Sequence, residues 1–408
     1  MSVAERTLRA EPAPRGRLLD RAAFAVLERA LEQLEGGALE VTLPDGSQRR
    51  FGRGEAVAFH VRDRALLRRL ATRGKLGFGE SYTAGEWDAD DLVALFELLL
   101  RNADAAARRQ PRLRRFLEAR PRPNTRNGML RARRNIAYHY DLGNDLFALM
   151  LDETMTYSCA VFERPDEPLA EAQRRKYRLI CEHLRLDASD RVLEIGCGWG
   201  GFAEFAAREV GCSVTGLTIS AAQAALARER TAGLPVRILE QDYREHEGSY
   251  TKIASIEMLE AIGERQFGTY FATLDRLLER GGIACVQTIL VPDDRWERYR
   301  KTPDWIERYV FPGCLIPSLG ALAQSAARSS RLMIHEVDEI GVHYAETLRR
   351  WRASFHEHIE EIRGLGYDER FERTWDFYLA FCEAGFRTRA LRDVQLTLRR
   401  AFDEGVPA

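Results

Sequence analysis

One stretch of fifteen residues contains the residue types of a small-molecule site. The segment VLEIGCGWGGFAEFA, residues 192–206, places an apolar run and an acid, Glu194, before Gly196, Gly198 and Gly200, and then starts a helical pattern. Glycines at the carboxyl end of a strand let the backbone approach a ligand closely. A helix that starts there favours a carboxylate or a phosphate. The stretch therefore predicts a ligand-binding turn between a strand and a helix.

Two common ligands of such turns are disfavoured by the neighbouring residues. A nicotinamide site usually carries an acid at the end of the second strand, whereas this chain has VTGLTIS there, with Thr218 and Ser220. No G-K-[ST] follows the glycines, which excludes a nucleoside triphosphate loop. The loop instead resembles the E-x-G-x-G-x-G signature of S-adenosylmethionine-dependent methyltransferases, in which the glycines face the methionine part of the cofactor.

The segments that follow Tyr138 alternate between strand-like and helix-like patterns. Such an alternation predicts an α/β fold, a doubly wound and mostly parallel sheet with helices on both faces. Two strand-like pieces near the C-terminus are expected at the sheet edge. The predicted strands, seven in all, are Arg191–Ile195, Ser213–Leu217, Val236–Leu239, Lys252–Ile256, Ile283–Leu290, Leu332–Val337 and Val394–Leu398.

A smaller α+β domain is expected before this sheet. Apolar residues recur at helical spacing over residues 18–35, and residues 38–52 alternate around a PDGS turn, as two short strands would. The domain boundary is predicted near residue 125. This gives an N-terminal domain over 1–125 with a basic linker, and a sheet domain over 126–408 with a helical insertion at about 294–330.

Composition favours a soluble globular protein without a metal site. The 408 residues are 45% hydrophobic and 30% charged, with a net charge of −1, as in folded soluble proteins. The seven cysteines form no C-x-x-C pair and no zinc-like cluster with histidine, which predicts reduced thiols. No apolar run is long enough to span a membrane, and no apolar signal region opens the chain. We therefore expect a cytoplasmic protein.

The segment between Arg101 and Arg134 is strongly basic, since its arginines face only Asp104 and Glu118. Nucleic acid is disfavoured as a partner because the segment lacks interleaved aromatic residues. Two interpretations remain open. The arginines either dock the protein on the anionic head groups of a membrane, or form a solvated helix and linker and pair with acids elsewhere.

Three further segments resemble the cyclopropane-fatty-acyl-phospholipid synthase family. They are YHYDLGNDLFALMLDETMTYSCAVFE, LEIGCGWGGFAEFAAREVGCSVTGLTISAAQ and YVFPGCLIPS, and Trp199 belongs to that family's form of the glycine loop. The likeness extends to GKLGFGESYTAGEWD in the N-terminal domain. It implies a class I methyltransferase fold, S-adenosylmethionine as cofactor, and an unsaturated phospholipid as substrate. It also favours a homodimer that associates peripherally with the membrane, with helices covering the acyl site.

The resemblance implies two sets of site residues. The first set contacts the cofactor and comprises Tyr157, Ser158, Glu194, Gly196, Gly198, Gly200, Thr218, Gln223, Asp242 and Tyr243. The second set holds a bicarbonate ion beside the reacting methyl group and comprises the backbones of Cys159 and Ile289 with the side chains of Glu260, Gln287 and Tyr344.

This chain departs from the family at the bicarbonate site. Leu259-Glu260-Ala261 stands where relatives commonly have F-E-H, and Gln287 stands where they have the histidine of L-H-T-I. A glutamine amide donates to an oxyanion but does not titrate near neutral pH as imidazole does. The resemblance therefore implies an ion site of altered basicity.

The leading function that this resemblance implies is transfer of a methyl carbon to the cis double bond of a phospholipid acyl chain. The resulting carbocation would lose a proton and close a cyclopropane ring. With a hydride shift before proton loss, the same chemistry ends in a methylene branch, which a separate reductase could saturate. Two other classes stay open: a methyltransferase for a soluble small molecule, and a non-catalytic lipid-surface protein with a degenerate site.

Overall fold

The chain forms two compact units in a computed structural model. The residues described are 27–29, 31–109, 142–302 and 304–401. Within them, the first unit consists of the residues up to 109 with Lys301–Val310 and His356–Ala390, and the second unit consists of the remainder. Most of the basic segment, most of the helix predicted over 18–35, and the boundary predicted near residue 125 lie outside the described residues.

The first unit contains a small mixed sheet with strands in the order β2-β1-β3-β4. Strands β1 and β2 form the predicted hairpin, and Asp45 accepts hydrogen bonds from the backbone and hydroxyl of Ser47 in its turn. The strands are β1 (Ala38–Thr42), β2 (Gln48–Gly52), β3 (Ala56–Val61) and β4 (Trp87–Ala89). With helices numbered along the whole chain, this unit holds α1 (Ala65–Thr83), α2 (Leu92–Arg109), α9 (Trp305–Tyr309), α12 (Ile359–Gly364) and α13 (Glu369–Arg387).

Helices from the C-terminal half of the sequence complete the core of the first unit. The ring of Phe377 in α13 lies 4.9 Å from that of Phe96 in α2 and 4.5 Å from that of Trp305 in α9, between centroids. Aromatic pairs at these distances stabilise a core beyond the area that they bury. The sequence analysis expected two consecutive domains, 1–125 and 126–408. The structure differs, because α9, α12 and α13 pack with N-terminal elements.

The second unit is built on a seven-stranded sheet in the order β10-β11-β9-β8-β5-β6-β7, once its strands are numbered along the chain. Strands β5 to β9 are parallel, and β10 and β11 are antiparallel at one edge. These strands are β5 (Arg191–Ile195), β6 (Ser213–Thr218), β7 (Val236–Glu240), β8 (Tyr250–Ile256), β9 (Leu278–Leu290), β10 (Leu332–Glu339) and β11 (Arg392–Arg400). The predicted doubly wound α/β sheet of seven mostly parallel strands is confirmed.

Helices cover both faces of this sheet. Successive residues of a strand point to opposite faces, so Val192 packs with Phe202 on one face while Leu193 packs with Phe271 on the other. The helices of this unit are α3 (Asn144–Met150), α4 (Leu169–Leu184), α5 (Gly201–Glu209), α6 (Ala221–Arg230), α7 (Phe267–Leu277), α8 (Asp293–Tyr299), α10 (Leu319–Ser329) and α11 (Tyr344–Glu357). The insertion expected at about 294–330 contains helices, but α9 belongs to the first unit.

The sheet order places a ligand crevice beside β5. Strand β6 pairs with one side of β5 and β8 pairs with the other. The strand order therefore reverses at β5, which makes this strand the topological switch point of the sheet. In open α/β sheets, ligands bind outside the carboxyl ends of the strands at such a reversal. No helix in the described part of the chain combines the length and apolar character needed to cross a membrane.

Candidate active site

The loop after β5 takes backbone conformations that residues other than glycine avoid. Gly196, Gly198 and Gly200 have φ angles of 84°, 51° and 84°. A Cβ atom added to Gly196 would lie 2.7 Å from Cγ of Met258, whereas one added to Gly198 would meet no atom within 4 Å. The loop is therefore packed at one glycine and open at another. Open backbone just before a helix fits the carboxylate end of an amino-acid ligand.

Glu194 lies at the base of this loop and is 2% exposed. Its Oε2 atom is buried and has no hydrogen-bond partner among the described residues. Burial raises the pKa of the Glu194 carboxyl to about 8. A buried acceptor without a partner is costly, so this position fits a ligand that brings N–H or O–H groups.

Trp199 anchors the glycine loop to helix α3. Its indole nitrogen donates a hydrogen bond to Oδ1 of Asn144 at 2.8 Å, and its ring lies 5.1 Å from that of Phe147. The side chain is only 3% exposed. The tryptophan among the glycines is thus a packing residue that fixes the loop to a neighbouring helix.

Four other residues predicted to contact the cofactor lie at or just after the carboxyl ends of β6 and β7. The hydroxyl of Thr218 donates to Oε1 of Gln223 at 2.9 Å, and Oδ1 of Asp242 accepts from Nε of Arg244 at 2.8 Å. The Tyr243 hydroxyl is buried without a hydrogen-bond partner in the described part of the chain. Because β5, β6 and β7 are parallel neighbours, these side chains share one sheet edge with the glycine loop.

A buried lysine lies beside Ser158 and was not identified from the sequence. Lys176 of α4 is 0% exposed, and its Nζ atom donates to Oγ of Ser158 at 2.6 Å. Burial lowers the pKa of the ammonium to about 8, while the charge of Glu257 opposes that change. A lysine on the buried face of α4 was the sequence signal that could have revealed it, since lysine is rarely buried unless paired.

Three hydrogen-bond donors converge on the carboxylate of Glu257, which follows β8. The backbone N–H of Cys159 donates to Oε1 at 2.8 Å, the Gln287 amide donates to the same oxygen at 2.8 Å, and the Tyr344 hydroxyl donates to Oε2 at 2.6 Å. These donors are three of the five groups that the resemblance assigns to bicarbonate. In this chain, these three groups are therefore already bonded to a carboxylate of the protein.

The backbone of Glu257 is unusual as well. Its φ is 49°, a left-handed value for a residue other than glycine, and its N–H donates to the carbonyl of Gln287 at 2.9 Å. Such strain persists where the surroundings hold it, and it clusters at functional sites. The sequence analysis did not select Glu257. The available signal was an acid at the carboxyl end of a parallel strand.

Glu260 lies in a separate set of contacts. Its Oε1 atom accepts from the backbone N–H of Ile289 at 2.5 Å and from the hydroxyl of Thr288 at 2.8 Å, whereas Oε2 has no partner among the described residues. Burial, and then the charge of Glu257, raises the pKa of Glu260 to about 8. Of the groups predicted to hold the ion, Cys159, Gln287 and Tyr344 thus bond to Glu257. The remaining two, Ile289 and Glu260, bond to each other.

Burial and charge set the protonation of these acids. Burial raises the pKa of Glu257, while the hydrogen bond from Tyr344, that from Cys159 and the charge of Lys176 lower it. Burial also raises the pKa of the Cys159 thiol, which therefore stays protonated. Lys176 supplies a positive charge to a site rich in carboxyls. A carboxylate held by several donors beside a cation can accept a proton without leaving its position.

A Rossmann-like sheet with this glycine loop defines a class I S-adenosylmethionine-dependent methyltransferase, an enzyme. The particular family follows from comparison with known proteins. Residues 128–396 match the family model described as "Mycolic acid cyclopropane synthetase", and the chain belongs to this family, as the sequence analysis predicted.

Two curated relatives are similar over most of their length. The tuberculostearic acid methyltransferase UfaA1 of Mycobacterium tuberculosis is 41% identical over 367 residues, which cover 87% of this chain and 85% of the relative. The cyclopropane-fatty-acyl-phospholipid synthase of Escherichia coli K12 is 35% identical over 383 residues, which cover 90% of this chain and 97% of the relative.

Solved structures agree with this assignment. The crystal structure of mycolic acid cyclopropane synthase CmaA1 complexed with SAH and CTAB has a TM-score of 0.61 and 30% identity, and the match covers 66% of this chain and 98% of that one. The structure of the cyclopropane synthase MmaA2 from Mycobacterium tuberculosis also has a TM-score of 0.61 and 30% identity, over 65% of this chain and 97% of that one. The cofactor of this enzyme is S-adenosylmethionine.

Proposed function

We propose that this enzyme methylates the cis double bond of an unsaturated phospholipid acyl chain and that Glu257 accepts the proton that is then lost. The observation that carries the proposal is the Glu257 carboxylate, held by Cys159, Gln287 and Tyr344 where the family resemblance implies bicarbonate. The names of the two curated relatives support a lipid substrate.

S-adenosylmethionine, when bound, supplies an electrophilic methyl group on a sulfonium. The glycine loop and the residues that end β6 and β7 would hold it, and they would aim the methyl group at the alkene. An alkene is a weak nucleophile, so alignment and exclusion of water matter more than activation by a base. As the new C–C bond forms, the C–S bond breaks and a carbocation remains on the acyl chain.

We place this cation beside three aromatic rings and the Glu257 carboxylate. The ring of Trp351 lies 5.1 Å from that of Tyr157 and 6.0 Å from that of Tyr344. The hydroxyl of Tyr344 in turn contacts Glu257. Ring faces and a fixed negative charge both stabilise a developing cation. A proton from the new methyl group then passes to Glu257, and the bonding pair that it leaves forms the final bond.

Between the two possible products we favour the methylene-branched chain. Burial raises the pKa of Glu257, but three donors already bond its carboxylate oxygens. Occupied lone pairs slow the acceptance of a proton, which gives a hydride shift time to precede proton loss. The relative with 41% identity is named a methyltransferase. A cyclopropane ring is the second candidate, supported by the family description and by the relative with 35% identity.

Product analysis tests the proposal directly. Purified enzyme is incubated with S-adenosylmethionine carrying a ¹³C methyl group and with liposomes of a cis-monounsaturated phospholipid, and the acyl chains are examined by mass spectrometry and NMR. A ¹³C-labelled exocyclic methylene supports the branched product, and a labelled three-membered ring supports the second candidate. Absence of label in the acyl chains, with cofactor binding intact, would refute the lipid reaction and favour a soluble substrate or a non-catalytic protein.

Three further properties complete the proposed function. The enzyme binds anionic membranes peripherally through residues 101–134, it acts as a homodimer, and a separate reductase saturates the methylene branch. Sedimentation with liposomes tests the first, since binding should fall as salt rises or as anionic lipid is removed. Light scattering of the purified protein tests the second. Addition of a reduced nicotinamide with cell extract, followed by NMR of the branch, tests the third.

A further inference from the structure

Two polar side chains of β11 lie behind Gln287. Asp393 and Gln395 are each 0% exposed, and Gln395 pairs directly with Gln287 across the β11–β9 ladder. Residues two apart on a strand share a face of the sheet. Asp393, Gln395 and Gln287 therefore form one buried polar group, although none of the chemistry proposed above uses Asp393.

Both ends of the Gln287 amide form hydrogen bonds within this group. Its nitrogen donates to Oε1 of Glu257 at 2.8 Å and to Oδ2 of Asp393 at 3.0 Å, and its oxygen accepts from the Gln395 amide at 3.1 Å. A primary amide has two N–H groups, so both are committed to carboxyl oxygens. A reversed amide would turn an acceptor toward both acids. Asp393 and Gln395 thus determine which end of Gln287 faces Glu257.

Asp393 is surrounded by more acids than cations. Among the described residues, the charged or titratable groups that face it are Glu257 after β8, whose carboxyl contacts that of Asp393 directly, Glu260 after it, Cys159 and the cation Lys176 of α4. One Lys176 charge balances one carboxylate. Two ionised carboxylates bonded to the same amide nitrogen would repel each other in a poorly solvated interior, so one of Asp393 and Glu257 must carry a proton. Burial, and then the charges of Glu257 and Glu260, raises the pKa of Asp393 well above its usual range.

We infer that Asp393 is a neutral carboxylic acid and a positioning residue, which holds the Gln287 amide toward Glu257 and leaves Glu257 as the ionised member of the pair. The role rests on the proposed function, because it matters for turnover only if Glu257 accepts the proton. Asp393 itself touches neither substrate nor cofactor in this assignment. Its contribution is to keep a hydrogen-bond donor on Glu257 without adding a second negative charge.

Two substitutions separate this role from its alternatives. Asp393→Asn keeps a neutral group that accepts from Gln287 through its oxygen, so we expect turnover and the acid limb of the pH profile to stay close to those of the wild type. Asp393→Leu has a similar size but removes the acceptor, and we expect turnover to fall roughly tenfold to a hundredfold with the affinity for S-adenosylmethionine unchanged. Circular dichroism and thermal melting report folding for both variants.

An infrared spectrum reads the protonation state without relying on activity. At pH 7, Asp393→Asn should remove one protonated-carboxyl C=O band from the spectrum of the wild type. The control Asp338→Asn, at a side chain that is 44% exposed, should remove a carboxylate band instead. Loss of a carboxylate band in Asp393→Asn, or a shift of its acid limb to lower pH, would show that Asp393 is ionised and overturn the inference, even if Asp393→Leu does not fold.

The outcomes also distinguish this inference from the proposed function. If the wild type forms labelled product and Glu257→Gln does not, while Asp393→Leu behaves as the wild type, the positioning role is wrong and the proposed function stands. If the wild type forms no lipid product, the proposed function is wrong, and the infrared band still tests the protonation of Asp393.

Discussion

The two halves of the site are built by different means. On the cofactor side, backbone makes the site: Gly196, Gly198 and Gly200 turn the chain at positive φ, and Trp199 secures the loop. On the other side, side chains make it: Glu257 is a single carboxylate fixed by donors from three separate segments. One half offers open backbone to a ligand, and the other presents a charge already satisfied by the protein.

This contrast separates binding from chemistry. The glycine loop fits what every methyltransferase of this class must hold, so changes there should alter cofactor affinity or stability. The carboxylate cluster concerns what happens after methyl transfer, so changes there should alter turnover, pH dependence and product. If both halves responded alike to substitution, the division would be wrong.

The largest effect is expected at Glu257. Glu257→Gln keeps the shape of the side chain but removes the base, and we expect turnover to fall by about 10²- to 10⁴-fold, the usual contribution of a general base. Affinity for S-adenosylmethionine, measured by calorimetry, should change little. A suitable control is Glu163→Gln, where the lost carboxylate is 70% exposed and pairs with Arg175. Full activity in Glu257→Gln would eliminate the proposed role.

A glycine at the same position should make the enzyme depend on an added anion. Glu257→Gly removes the carboxylate and suits the φ of 49°, which leaves the donors of Cys159, Gln287 and Tyr344 without their acceptor. We expect added bicarbonate to raise the turnover of this variant at least tenfold. Depletion of bicarbonate should leave the turnover of the wild type unchanged.

The matched control for that backbone change is Arg185→Gly, at a φ of 52° on the exposed end of α4. It should leave turnover and bicarbonate response as in the wild type. Strong bicarbonate dependence of the wild type would instead mean that Glu257 does not replace the ion.

The sequence predicted the cofactor half of the site better than the carboxylate half. The seven strands and the glycine loop follow local patterns, apolar runs and glycine spacing within a few residues, and such patterns are readable in one chain. Glu257 is different, because its donors lie 98, 30 and 87 residues away in the sequence. No local periodicity indicates that these segments meet at one carboxylate.

The family resemblance selected Cys159, Gln287 and Tyr344 but could not show what they hold in this chain. The resemblance placed Glu260 and Ile289 with them around one bicarbonate ion, whereas in the structure Glu260 is bonded to Ile289 and Thr288. Lys176 was missed for a related reason. Its buried ammonium is bonded to Ser158, which lies in a different segment, and residue spacing in the sequence does not predict that contact.

Lys176 should control the pH range of the reaction. Its charge lowers the pKa of Glu257, so Lys176→Met should raise that pKa and move the acid limb of the turnover profile to higher pH, by about one unit. In the wild type, the ammonium loses its proton near pH 8, so the wild type and Lys176→Met should have similar turnover above that pH and differ below it.

The variant Lys176→Arg tests whether charge alone matters, since guanidinium stays protonated. If it folds, its acid limb should match that of the wild type, because the positive charge beside Glu257 is kept. Profiles of kcat between pH 5 and 10 supply the measurement, and identical acid limbs in the wild type and Lys176→Met would contradict the electrostatic role.

The smallest effects are expected in the glycine loop, and they should appear in binding rather than in pH dependence. Gly196→Ala combines a left-handed backbone, worth about 1–2 kcal/mol, with a Cβ atom 2.7 Å from Met258. We expect roughly tenfold weaker S-adenosylmethionine binding by calorimetry and an unchanged acid limb.

Gly233→Ala isolates the backbone cost, because its φ is 80° and no atom lies within 4 Å of the added Cβ. Its melting temperature should drop while cofactor affinity stays at the wild-type value. Trp199→Phe provides the complementary case, since it loses the hydrogen bond to Asn144, about 1 kcal/mol of stability, and keeps the ring contact with Phe147. If either variant moved the acid limb, the loop would share in the proton chemistry, and the separation of backbone-built binding from side-chain-built catalysis would fail.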